Sequence, residues 1–160
     1  MGTYLNPGNS GFARIVKSDY VDKTGLIQLI NQTIGKTKNL TCISRPRRFG
    51  KSYAAQMLCA YYDKTCDSHE LFSEYKIAEE DSYEKHLNKY DVIYLDMTQI
   101  MGEAGKDGFI DFIKEKVTDE IKSMYPDVKT DSAFSTTLVN TVESNQNKIK
   151  NPQVHLLPAP

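Results

Sequence analysis

The chain has 160 residues, with 20 Lys and Arg against 21 Asp and Glu and an isoelectric point near 6.3. That is enough for one modest domain or part of one, and it supplies no global basic field to hold nucleic acid or an anionic membrane. No apolar run approaches the about 20 residues of a membrane span, and Met1-Gly2-Thr3-Tyr4-Leu5-Asn6 lacks a signal peptide's basic-then-apolar order, so a cytoplasmic protein without a membrane partner is expected.

Residues 1–19 hold Pro7 and three glycines and predict an irregular lead-in that packs through Phe12 and Ile15. From Asp22 or Thr24, either able to cap, Ile27, Ile30 and Ile34 recur at helical spacing with Leu26 beside them until Gly35, which predicts a short amphipathic helix. Leu40-Thr41-Cys42-Ile43 is a compact β-prone run bounded by Pro46 and predicts a buried strand. Lys51 to Tyr62 lacks Gly and Pro and sets Ala54, Met57, Leu58 and Tyr61 on one face, predicting a helix.

Beyond it, Asp63 to Glu74 is polar and turn-rich, and Glu79 to Lys89 is so charged that it predicts a solvated helix or loop. Val92-Ile93-Tyr94-Leu95, ended by Asp96, does not alternate and predicts a strand covered on both faces. After a loop with Gly102, Gly105 and Gly108, the stripe Ile110, Ile113, Val117, Ile121 and Met124 predicts a helix ending before Pro126. Phe134, Leu138 and Val142 predict another, behind possible caps at Asp131 and Ser132. The alternation of strands and helices argues α/β. The cysteines Cys42, Cys59 and Cys66 read as reduced thiols, and the single C-x-x-H step of Cys66 and His69 has no second pair to complete a zinc site.

Arg45-Pro46-Arg47-Arg48-Phe49-Gly50-Lys51-Ser52 sits between the first predicted strand and the second predicted helix. A phosphate-binding loop needs backbone N–H groups around the β-phosphate, a lysine on the β- and γ-phosphates, and a Ser or Thr hydroxyl on Mg²⁺ where a helix begins. Gly50, Lys51 and Ser52 have the right types and order, and the helix N-terminus adds partial positive charge. Arg45 replaces the first glycine of G-x-x-x-x-G-K-[ST], which makes this a variant Walker A loop. Gly35-Lys36-Thr37 has the same tripeptide but follows a helix, so it reads as a helix end. A basic loop from Arg45 to Lys51 serving as a non-enzymatic nucleic-acid or protein-binding module is the alternative.

With Tyr20-Val21-Asp22-Lys23-Thr24-Gly25-Leu26-Ile27 followed by Ser44-Arg45-Pro46-Arg47-Arg48-Phe49-Gly50-Lys51-Ser52, the sequence resembles the predicted AAA-ATPase-like family. That family has an N-terminal D-K-T segment and an S-R-P-R-R-F-G-K-S loop with Arg at the same place. Val92 to Asp96 is similar to its next strand, and the resemblance runs from about Tyr4 to about Ser144.

The resemblance implies a partial P-loop NTPase of RecA/AAA type, with parallel strands flanked by helices, that binds ATP and Mg²⁺. Arg47, Arg48, Phe49, Gly50, Lys51, Ser52 and Tyr53 are the expected ATP-binding residues, Ser52 also taking the metal. The expected parts are a lead-in and helix over 1–39, a partial P-loop domain over 40–144, and a divergent, disordered tail over 145–160. Full-length members of the family often carry a nuclease domain, which leaves nucleic acid or a partner protein as possible clients of the whole protein. Asp96 is followed by Met97 and not by the catalytic Glu of a Walker B strand. In the family that strand comes after the helix corresponding to Phe134–Val142, where this chain has Asn147-Lys148-Ile149-Lys150. The expectation is therefore a chain truncated before Walker B, with exposed apolar strand edges and no catalytic residues, which binds ATP without hydrolysing it.

Overall fold

A computed structural model describes residues 2–44, 46, 48–130 and 133–146. Its centre is the helix α3, Lys51–Tyr62, whose second half is buried on every side through Met57, Leu58, Cys59, Ala60, Tyr61 and Tyr62. A short helix α1, Ser10–Ile15, and a second, α2, Gly25–Asn31, pack against the same core. The predicted lead-in is thus partly helical. Phe12 is fully buried, stacked on Phe72 at 5.2 Å between ring centroids and edge-on to Tyr20 at 5.2 Å. Aromatic pairs of this kind add to the ~1.5–3 kcal/mol gained by burying each large apolar side chain.

The predicted α/β sheet does not occur among the described residues. Helix makes up 53% of the structure and strand only 3%, and the described residues contain two isolated bridges and no sheet. Positions 40–43 make no backbone–backbone hydrogen bond among the described residues, and Leu40 is 73% exposed. A strand needs a neighbour to satisfy its N–H and C=O groups, and this run has none among the described residues. Val92–Leu95 finds a partner, but an antiparallel one at the N-terminus. Asn6 N–H donates to Val92 O at 2.7 Å and Tyr94 N–H to Tyr4 O at 2.8 Å. The pairing stops there because Asn6 turns left-handed, at φ 53°, and offers its side-chain Oδ1 to Val92 N–H instead of continuing the ladder. The two apolar runs are therefore not strands of one parallel sheet, and the edges expected of an unfinished sheet are not formed.

After α3 the chain makes three short turns of helix: α4, His69–Phe72, a 3₁₀ turn at Lys76–Glu79, and α5, Tyr83–His86. The stretch expected to be solvated is in fact half interior, since Ile77, Tyr83, His86, Leu87 and Tyr90 are all buried. The buried polar groups here are paired. Asn31 on α2 donates to the Tyr61 and Ser82 hydroxyls and accepts from Tyr62 at 2.7 Å. Asp63, fully buried, accepts from Gly8 N–H at 2.6 Å and from the Thr65 amide and hydroxyl.

The long helix α6, Met97–Met124, begins earlier than predicted and takes in the glycine-bearing loop. Gly105, at φ 73° and ψ 174°, breaks it into two pieces, a conformation that only glycine adopts at little cost. Its C-terminal part carries the predicted stripe: Val117 and Ile121 are buried with Leu5 and Val128, and Ile113 and Met124 pack against them, while Ile110 stays 54% exposed. Phe134 and Leu138 of α7, Phe134–Gln146, reach the same cluster. The possible caps Asp131 and Ser132 and the tail segment 147–160 lie outside the described residues.

Glu120 on α6 ties the N-terminus to this second cluster. Its carboxylate accepts from the amides of Thr3, Tyr4 and Leu5 at 2.8, 2.9 and 2.7 Å. Charge-assisted bonds are stronger than neutral ones, though partial exposure reduces their worth. Glu120→Ala is expected to cost about 2 kcal/mol, read as a Tm lowered by roughly 4–8 °C, with loss of the Tyr4–Tyr94 amide's protection from exchange.

His86 gives the fold an acid limit. Burial, with Lys85 nearby, holds its imidazole below the ordinary value, so the unfolded chain takes up the proton more readily. The stability contributed by neutral His86 is complete above the unfolded pKa, about 6.5, and is lost as pH falls through the folded one. Urea midpoints measured from pH 7.5 to 5 are expected to fall, and to fall less steeply in His86→Gln.

Candidate phosphate-binding site

Gly50 stands at the junction of loop and helix with φ 76° and ψ 28°, and α3 starts at the next residue. Its carbonyl accepts from Ala54 N–H at 2.9 Å, the first bond of the helix. Gly50, as the N-cap, has no side chain with which to cap this end, and no acidic residue lies in the first turn. The first-turn N–H groups and the aligned peptide dipoles make the start of α3 a place that favours an anion. Lys51 and Ser52 are its first two residues, Ser52 exposed and Lys51 half-buried.

The Lys51 ammonium donates to Pro46 O at 3.4 Å, folding the side chain back along the loop. Phe49 and Tyr53 present their rings to solvent, at 62% and 50% exposure. Arg48 also turns left-handed, at φ 68°, which costs a residue with a Cβ roughly 1–2 kcal/mol. Backbone strain of this kind concentrates at functional loops. Arg45 and Arg47 lie outside the described residues. The structure thus brings Phe49, Gly50, Lys51, Ser52 and Tyr53 together around one helix start, but with an irregular segment before the loop in place of a strand.

Lys23 was assigned no role from its sequence position, and it belongs to this site by geometry. Its ammonium donates to Phe49 O at 3.2 Å. Asp22, Lys23 and Thr24 form a turn fastened on several sides. Asp22 accepts from Thr24 N–H at 2.8 Å and from Lys76 N–H at 3.2 Å, and Thr24 Oγ1 accepts from Ile77 N–H at 3.2 Å. Burial opposes the charge on Asp22, but the hydrogen bonds from Thr24 and the Lys76 amide outweigh it and hold the carboxyl below its usual value. Tyr20 completes the turn by accepting from Lys23 N–H and donating to Met57 Sδ, both at 3.2 Å. The sequence signal for Lys23 is its place as the one cation in Tyr20–Thr24.

The other candidates fall elsewhere. Gly35-Lys36-Thr37 lies in the turns after α2, where Lys36 N–H bonds Thr33 O. Asp96 caps α6, its Oδ1 accepting from Thr98 and Gln99 amides at 2.9 and 3.2 Å. Cys66 turns its sulfur to the Asp63 carbonyl while His69 pairs with Asp67 and Glu84, so the C-x-x-H step does not converge. Burial pushes the Cys59 thiol up to about 12, and no group of three metal-ligating side chains occurs among the described residues. Among those residues no helix is long and apolar enough to cross a membrane.

In a comparison with known families, the family described as "Predicted AAA-ATPase" matches residues 7–157. The match covers the Asp22–Thr24 turn, the loop and α3, and it continues past Ser144. Neither curated proteins nor solved structures give a match.

Gly50 is the most constrained position of the loop. A Cβ there would need an unfavourable backbone conformation and would lie 2.5 Å from Lys23 Nζ, whose flexible end would have to swing away. Gly50→Ala is expected to lower stability by about 1 kcal/mol, as measured by urea unfolding.

Proposed function

The chain belongs to the AAA-ATPase-like family, and from that footing we propose that it binds Mg·ATP at the start of α3. The observation that carries the reading is the left-handed Gly50 opening a helix with Lys51 and Ser52 as its first residues. The first-turn amides and the helix dipole meet the β-phosphate. Lys51, one flexible side chain away, moves from the Pro46 carbonyl to the β- and γ-phosphates, for a phosphate oxygen is a far stronger acceptor for an ammonium than a peptide carbonyl. Ser52 supplies one ligand to Mg²⁺, which takes the rest from phosphate and water, as that ion does in nucleotide sites. Arg47 and Arg48 add charge along the loop, and the exposed rings of Phe49 and Tyr53 offer flat surfaces beside it.

Turnover is proposed to be absent or very slow in this chain. Phosphoryl transfer depends on charged groups placed around the transferring phosphate and the attacking water. Asp96 is engaged as the cap of α6 and is followed by Met97. The one Asp–Glu step in the sequence, Asp119–Glu120, lies inside α6, with Glu120 bound to the N-terminal amides.

The experiment is Mg·ATP titration by calorimetry on the chain, shown folded by circular dichroism, alongside Lys51→Ala. Wild-type binding that falls at least tenfold in the variant is expected, with phosphate release at background. A folded chain that ignores ATP but binds single- or double-stranded nucleic acid with a steep salt dependence would overturn the reading in favour of the basic-loop module.

A further inference from the structure

We propose that Lys23 is a positioning residue that fixes the Phe49–Gly50 turn from behind, and that it acts on nucleotide through that turn. The second half of this rests on the phosphate-binding reading; the first does not. The ammonium reaches across 26 positions of sequence to the Phe49 carbonyl at 3.2 Å. The space it fills is the space Gly50 leaves: a Cβ on Gly50 would lie 2.5 Å from Nζ and 3.8 Å from Cε. Gly50 therefore serves two requirements at once, a positive φ and room for this cation.

The direction of the contact decides what it does. A trans peptide is planar, so its C=O and N–H point to opposite sides. With Phe49 O turned to Lys23, the Gly50 N–H of the same peptide is turned away from Lys23 and toward the other face of the loop. Lys23 thus orients an amide without sharing its face, which makes it a support and not a phosphate ligand.

Nothing acidic explains the lysine's position. Among the described residues no carboxylate lies within ion-pair distance of it, and its neighbour Asp22 is bonded to backbone amides. A cation at a helix N-terminus is opposed by the helix dipole. What keeps it there is a rigid base. Asp22 and Thr24 fasten the turn to the 3₁₀ segment at Lys76–Glu79, and Tyr20 fastens it to Met57 in the middle of α3. Lys23 accordingly refers the loop's position to the core, through a route separate from the chain of α3 itself.

The test is nuclear magnetic resonance on the full chain, comparing wild type with Lys23→Met and Lys23→Arg. The Ala54 amide, bonded to Gly50 O, and backbone order at Gly50 report the turn, while amides from Leu58 to Tyr62 report the helix. In Lys23→Met, exchange at Ala54 is expected to quicken at least fivefold and order at Gly50 to fall, with Leu58–Tyr62 unchanged; Lys23→Arg restores both. Equal quickening along all of α3, or no change anywhere, overturns the proposal. Mg·ATP affinity is the second readout, expected to drop at least fivefold in Lys23→Met and to recover in Lys23→Arg. Binding lost in Lys51→Ala but untouched in Lys23→Met overturns the action on nucleotide while the phosphate reading survives. A turn that loosens as expected in a chain that never binds ATP rejects the phosphate reading and supports the role of Lys23 in the turn.

Discussion

The burial of α3 is the constraint from which the other features follow. Its last turns have no solvent face, with Met57, Ala60 and Tyr61 fully enclosed, so the helix cannot slide or rotate without opening the core. Close packing makes such an element rigid. Because the loop ends where α3 begins, its first residues inherit a fixed position from side chains one to two turns away. The largely exposed Phe49 and Tyr53 are thereby presented at a fixed edge. The Asp22–Thr24 turn is held to the same helix by Tyr20 and Met57. Two segments separated by about thirty positions in sequence share one support.

The legibility of the helices followed from their periodicity. Lys51–Tyr62 and the Ile113–Met124 part of α6 repeat apolar residues at three and four, and burial at those places keeps them. The strands were not legible for the same reason in reverse. A four-residue apolar run carries no period, and Leu40–Ile43 and Val92–Leu95 look alike until neighbours are known. One pairs briefly with Tyr4–Asn6 and the other with nothing described. Tyr83, His86, Leu87 and Tyr90 stand at helical spacing and do enter the core, but Glu84, Lys85 and Lys89 between them drew attention to the charge. Composition outweighed spacing there, and spacing was the better guide.

At the loop, residue types and order were readable while conformation was not. Gly50-Lys51-Ser52 could be placed at a helix start from sequence, and it is there. The left-handed Arg48 had no sequence signal, since arginine rarely takes that shape unless its surroundings impose it. Nor could Lys23 be found by spacing, because the contact joins positions far apart in the chain. Both segments fall within the family match, and the hydrogen bond from Lys23 to Phe49 joins them.

The grip of Glu120 on Thr3, Tyr4 and Leu5 joins residues 115 to 117 positions apart. During synthesis residues 3–5 leave the ribosome long before their partner on α6 does. Loop closure over such a length is entropically slow to be rewarded. The Phe12–Phe72–Tyr61 core can gather from shorter separations before then. Residues 3–5 are consequently locked only once position 120 has been made, and a nascent chain stalled before it would hold the Phe12–Phe72–Tyr61 core with that segment untethered.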